Sequence, residues 1–138
     1  MTAAPKLITS LQNERIKAIR ALEMRKERKE TGLFVAEGTS LLVTARDNGF
    51  TPETLVYRTG SAVSGIAQGL VAWALKSGVE CLEVSEAVLG KLSSKDNPQS
   101  MLGVFKQRWV EPPAAAKVSQ ENVWLALEEV RDPGNLGT

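Results

Sequence analysis

A chain of 138 residues with 43% hydrophobic and 24% charged side chains has the composition of an ordinary folded protein, enough for one domain or a small domain plus part of another. No apolar run approaches the ~20 residues needed to cross a bilayer, and the N-terminus MTAAPKLITSLQNERIK lacks the apolar segment and cleavage site of a secretory signal, so a cytoplasmic location without a membrane partner is expected. A lone cysteine, Cys81, and the complete absence of His exclude an internal disulfide, multi-cysteine metal clusters, His-based metal binding, and Ser-His-Asp or Cys-His nucleophilic sites within this chain.

The net charge of +1 conceals an asymmetry. Residues 1–30 hold 8 of the 17 basic side chains and 4 of the 16 acidic ones, a local charge of +4, and the remainder carries −3. Such a concentration suggests a footprint for a polyanion, although a solvated helix face would look similar.

From Leu11 to about Glu30 there is no Gly or Pro and most residues are good helix formers, which predicts one helix. At roughly 100° per residue, Leu11, Ala18, Ile19 and Leu22 share a stripe, and Lys17, Arg20 and Arg28 gather opposite. Ser10 or Asn13 could cap its start, and Gly32 follows its end. Leu33 to Ala36, bounded by Gly32 and Gly38, suits a buried strand with Glu37 at its exit. Residues 39–48 suit a helix capped by Thr39 or Ser40 and terminated by Gly49.

Thr54–Tyr57 reads as a strand, 61–77 as mainly helical, Val79–Val84 as a further strand, and Ser85–Leu92 as a short helix capped by Ser85. Residues 93–99 are loop-like, and Met101–Gln107 returns to an apolar strand. Strands separated by helices argue for an α/β domain over 1–108 with a mostly parallel central sheet flanked by helices. A linker follows over 109–121, where Pro112 and Pro113 stiffen the backbone. Residues 122–138 then open a new buried strand that enters Asp132-Pro133-Gly134-Asn135-Leu136-Gly137-Thr138. Turn-forming residues at a strand's C-terminal end stand where open α/β sheets bind ligands. On turn chemistry alone, an ordinary loop is the favoured reading of that segment.

Four segments in order carry a resemblance. Ser10 to Lys17 together with Arg25-Lys26-Glu27-Arg28, then Gly32 to Gly38, then Asn97-Pro98-Gln99, and finally Leu127 to Thr138 resemble successive motifs of the SpoU/TrmH family of RNA 2′-O-ribose methyltransferases. The resemblance implies a small α/β recognition domain similar to RNA-binding ribosomal proteins, followed by the first strand of a knotted, SPOUT-type methyltransferase domain. It also implies S-adenosylmethionine as donor in the intact protein, with no donor site expected in this chain, and a homodimer. The motif resembled by Asn135 and Gly137 continues in the family into an arginine beyond Thr138. This chain alone is therefore expected to be inactive, with Asn135 helping to place the ribose. Ser100 and the run Met101-Leu102-Gly103-Val104-Phe105 depart from the family pattern.

The expected RNA contacts are Asn13, Arg15, Lys17, Arg25, Arg28, Glu37 and Gln99, because Lys and Arg displace phosphate counterions and Arg binds phosphate in a bidentate manner. Glu37 is read either as an RNA ligand or as an anchor for the basic helix. With aromatic residues at only 5%, structured ribosomal or transfer RNA read by shape fits better than a stacked single strand. Cys81 reads as a core residue, and Trp73, Trp109 and Trp124 as packing residues. A stand-alone RNA-binding module without catalytic activity is the alternative.

Overall fold

The computed structural model describes residues 4–63, 65–93 and 100–109. The chain divides into two compact units, Met1–Arg108 and Trp109–Thr138, and all the described elements lie in the first. The sequence readings over 110–138, including the linker, the strand entering Asp132, Asn135 and Trp124, fall outside the described residues, as does Gln99.

In chain order the elements are β1 (Lys6–Ile8), α1 (Glu14–Ala21), α2 (Arg25–Thr31), β2 (Leu33–Glu37), α3 (Thr39–Asp47), β3 (Thr54–Arg58), α4 (Gly65–Lys76), β4 (Glu80–Val84), α5 (Glu86–Leu92) and β5 (Met101–Lys106). The strands form one sheet in the order β1-β4-β3-β5-β2. β1 and β3 pair parallel with β4, whereas β5 runs antiparallel to both of its neighbours, β3 and β2. Four strands thus share one direction, as a mostly parallel sheet requires. The sheet is nevertheless mixed, because the last strand inserts in reverse between β3 and the edge strand β2.

Insertion of β5 completes burial on both faces, and this is why β3 and β5 read as continuous apolar runs rather than alternating ones. On one face Val56, Leu82, Val84, Leu102 and Val104 pack beneath Ile16 and Ile19 of α1 and Val88 and Leu89 of α5. On the other, Leu55, Tyr57, Cys81, Met101 and Phe105 meet Leu42 of α3 and Leu70, Val71 and Ala74 of α4. The result is three layers, helices over sheet over helices. β1 is a strand that the sequence reading missed, since three residues with a single buried side chain, Ile8, show no periodicity. At α3, Gly38 occupies the cap position in place of Thr39 or Ser40. At α5 the cap is Ser85 as expected, its hydroxyl accepting from Val88 N at 3.3 Å.

The packing is tight at one point in the sheet. A Cβ on Gly103 would stand 2.8 Å from Leu42 Cδ2 and 2.8 Å from Phe105 Cε2, two side chains that are themselves buried. Gly69, on the exposed side of α4, has nothing within 4 Å of that position. Gly103→Ala is therefore expected to lower stability by about 1–3 kcal/mol through overpacking. Gly69→Ala should raise it by about 0.5–1 kcal/mol through helix propensity. Urea midpoints of the two variants should move in opposite directions.

Cys81 is 2% exposed, and its thiol pKa is pushed from 9.0 up to about 11, first by burial and then by the charge of Glu80. The Tyr57 hydroxyl is also raised from 10.0, by burial, then by Glu83 and Cys81. Both folded-state groups hold their protons more tightly than their unfolded counterparts. The contribution of Cys81 is fully present below pH 9.0 and is lost as pH climbs toward 11, whereas that of Tyr57 is lost only above 10.0. Chemical denaturation between pH 9.0 and 11 should show stability falling, by up to about 1.4 kcal/mol per pH unit for Cys81, with Tyr57 adding to the slope at the upper end. Cys81→Ala should flatten the slope without abolishing it.

Candidate nucleic-acid interface

The basic N-terminal segment is two helices rather than one. Asn13 caps α1, its side chain accepting from Arg15 N at 2.8 Å, so this residue has a local structural task. Ile16, Ile19 and Leu22 form the buried stripe, and Ala18, expected among them, is exposed. After Ala21 the chain tightens, with Glu23 N donating to Arg20 O and Met24 N to Ala21 O, and Met24 turns extended at φ −85°, ψ 132°. The carbonyls of Leu22 and Glu23 are thereby left without helical donors. Arg28 fills the gap, its Nη1 donating to them at 2.9 and 2.7 Å.

α2 buries no side chain of its own. It is held by that arginine and by Gln107, whose Nε2 donates at 3.2 Å to the carbonyls of Arg28 and Leu33. Gly32 ends α2 in the left-handed region at φ 71°, a conformation that favours glycine.

The cations divide into paired and unpaired sets. Arg15 forks onto Glu80, through Nε at 2.9 Å and Nη2 at 2.5 Å, and its Nη2 also donates to Thr54 Oγ1 at 3.1 Å. Thr54 is a buried polar residue and in turn donates to Glu80, so this trio clips α1 to β3 and β4. Arg46 pairs with Asp47, and Lys106 with Glu53. By contrast, no described carboxylate forms a salt bridge with Lys17, Arg20, Arg25, Lys26 or Lys29, all of them exposed on α1 and α2. These five side chains form a cationic surface across the two helices.

Beside that surface lies a groove of about 370 Å³ between α1, the α1–α2 joint, β2 and the end of α5. Its apolar lining comes from Ile19, Leu22, Val35 and Leu92, with Phe34 also lining it; Arg20, Arg28 and Lys91 add positive charge, and Glu23 and Glu37 add carboxylates. Of the residues expected to meet RNA, Arg28 and Glu37 are brought together here. Lys17 and Arg25 lie on the adjoining helices, Asn13 caps, and Arg15 is bound to Glu80. The described partner of Glu37 is Ser93, whose Oγ donates to Oε2 at 2.5 Å, so the carboxylate fastens β2 to the end of α5. Lys91 and Leu92 were missed because nothing local in α5 signals that its last turn faces a helix pair so distant in sequence.

A second groove, of about 500 Å³, opens beside α3 and the same edge strand; Leu41, Phe50 and Phe105 line it, and the Arg108 guanidinium lies 4.1 Å from the Phe50 ring centre. Trp109, expected to pack, is 87% exposed. Trp73 is partly buried against the α3–α4 core, in line with its reading. Among the described residues no group of Cys, Asp or Glu is placed to hold a metal ion, and no helix is long and apolar enough to cross a membrane.

A family profile, the MRM3-like substrate-binding domain, matches residues 13–103. The chain belongs to that family. An uncharacterised tRNA/rRNA methyltransferase of Synechocystis is 35% identical over 95% of this chain and 46% of its own length. Among solved structures, an RNA 2′-O ribose methyltransferase aligns with TM-score 0.75 and 34% identity over 96% of this chain and 49% of its own. An AdoMet-bound rRNA methyltransferase of Sinorhizobium meliloti aligns with TM-score 0.67 and 39% identity over 76% and 38%. The resemblance read from the motifs is thus borne out at the level of family and fold. The chain spans about half the length of the curated relatives it matches.

The two roles of the helix cations are separable. Arg28→Ala should lower stability by about 1–2 kcal/mol, because two carbonyls lose a charged donor. Lys17→Ala and Arg25→Ala should stay within about 0.5 kcal/mol of the parent, as exposed substitutions do. Thermal or urea unfolding of the three variants checks this ordering.

Proposed function

We propose that this chain is the RNA-recognition part of an S-adenosylmethionine-dependent 2′-O-ribose methyltransferase acting on structured ribosomal or transfer RNA. The observation that carries this reading is the group of exposed cations on α1 and α2 that form no salt bridge among the described residues, within a domain whose family is defined by substrate binding. Unpaired Lys and Arg release phosphate counterions on binding, whereas cations already tied to carboxylates gain less.

Methyl transfer to a ribose requires the 2′-oxygen to be held in line with the donor's methyl carbon, so positioning supplies much of the acceleration. This domain's contribution is to hold the RNA at a fixed place. Asn135 is proposed to help orient the ribose, using an amide that offers both a donor and an acceptor. The donor carries a carboxylate as well as a cationic sulfonium, and both described grooves mix cations with carboxylates. Arg20, Arg28 and Lys91 stand beside Glu23 and Glu37 in one, and Lys106 and Arg108 beside Glu53 in the other, so neither lining selects for it. Donor binding and a homodimeric site therefore belong, in this proposal, to the part of the protein that the relatives have and this chain does not span. A cytoplasmic location accompanies the same reading.

A titration of labelled transfer RNA and ribosomal RNA fragments with the purified chain, repeated across salt concentrations, tests the proposal. Affinity should fall steeply with salt, and the double variant Lys17→Ala, Arg25→Ala should lower the log–log slope by about two. An unchanged slope, or equal affinity for an uncharged competitor, would overturn it. The alternative, a binding module without attached chemistry, predicts the same titration. It is separated by testing whether a chain extended with its natural continuation transfers tritiated methyl groups to ribose.

A further inference from the structure

We infer that the groove between α1, the α1–α2 joint, β2 and α5 receives one unpaired nucleotide of the bound RNA. This rests on the RNA-binding reading above and specifies what that surface recognises. The groove, at about 370 Å³, lies at the low end of the ~300–1,000 Å³ range of small-molecule sites, which suits a single nucleotide and not a folded helix of RNA. A duplex is convex and would meet only the rim.

The lining is what a lone nucleotide requires. Ile19, Leu22, Val35 and Leu92 offer an apolar surface that a planar base would desolvate. Phe34, 37% exposed on the edge strand, also borders the groove, although its ring stacks on Phe105 of the opposite face with centres 5.9 Å apart, so the base contact falls to the aliphatic side chains. Arg20 of α1 and Lys91 of α5 are exposed cations that line the groove and match the phosphates flanking an extruded base in charge. Glu23 and Glu37 disfavour a phosphate chain lying along the floor, and a base edge presents N–H donors that the exposed Glu23 carboxylate can accept. Two lining residues are anchored before any ligand enters, Arg28 to Leu22 O and Glu23 O and Glu37 to Ser93, which lowers the ordering cost of binding.

The test uses the whole chain and RNA hairpins of one stem, either fully paired or carrying a single bulged nucleotide that is each of the four bases in turn. At least one bulged hairpin should bind about ten-fold more tightly than the paired one, within the range expected when one base is accommodated. Amide shifts on its addition should fall on Leu22, Val35 and Leu92. Leu92→Trp, which fills the groove, should bring the bulged affinity down to that of the paired hairpin and leave the latter unchanged. Lys91→Ala, an exposed substitution that leaves the core intact, should weaken the bulged hairpin at least three-fold more than the paired one.

Equal affinity for all the hairpins would overturn the inference while leaving RNA binding in place. Retention of the bulge preference by both variants would also overturn it. Nucleoside monophosphates that bind as tightly as the bulged hairpin would make this a mononucleotide site instead, and would overturn the RNA assignment. Absence of binding to any hairpin at low salt would remove the RNA-recognition reading itself.

Discussion

The interaction on which the candidate interface depends is the donation of Arg28 to the carbonyls of Leu22 and Glu23. The segment from Leu11 to Glu30 has the composition of an unbroken helix, and a straight helix would carry its cations along one line. The joint bends that line into two short helices. It also creates a concave wall between them and β2, where Arg20 and Arg28 share a groove with Lys91 from a distant part of the chain. Because a broken helix exposes unsatisfied carbonyls, the bend needs a donor. A guanidinium, with several N–H groups in a fixed plane, reaches two carbonyls at once.

A second division separates cations that build the domain from cations offered to a ligand. Arg15, Arg46 and Lys106 are each paired with a carboxylate, and Arg15 additionally satisfies Thr54 beneath it. Half-exposed pairs of this kind add little stability and mainly fix geometry. Lys17, Arg20, Arg25, Lys26 and Lys29 have no such partner among the described residues, so their charge is directed outward. The local charge of +4 in the first thirty residues is therefore not uniform in purpose, and only the fold sorts it.

Much of the α/β layout was legible because apolar runs, caps and glycines agree locally. Gly32 ending α2, Ser85 capping α5, and the apolar stretches of β3, β4 and β5 are examples. The misreadings share a physical origin. β1 buries a single side chain and, among the described strands, pairs with β4 alone, so it carries no pattern of its own. The helix break at Leu22 has no Gly or Pro to announce it and is set by burial of Leu22 and by Arg28. Helical angle places Ala18 on the buried stripe, but the face that packs is centred on Ile16 and Ile19, which turns Ala18 to solvent. Trp109 was read as a packing residue on residue type alone, and residue type cannot tell that β5 ends before it.

The sequence by itself determined the alternation of strands and helices, the concentration of positive charge in the first thirty residues, and the motif order that marks the family. Those features depend on neighbours in the chain or on residue type. The tertiary structure decided which cations are paired, where β5 inserts, and that Arg28, Glu37 and Lys91 line one groove. Each of these requires side chains separated by many residues to meet across a sheet or a helix joint, and no local periodicity encodes a meeting of that kind.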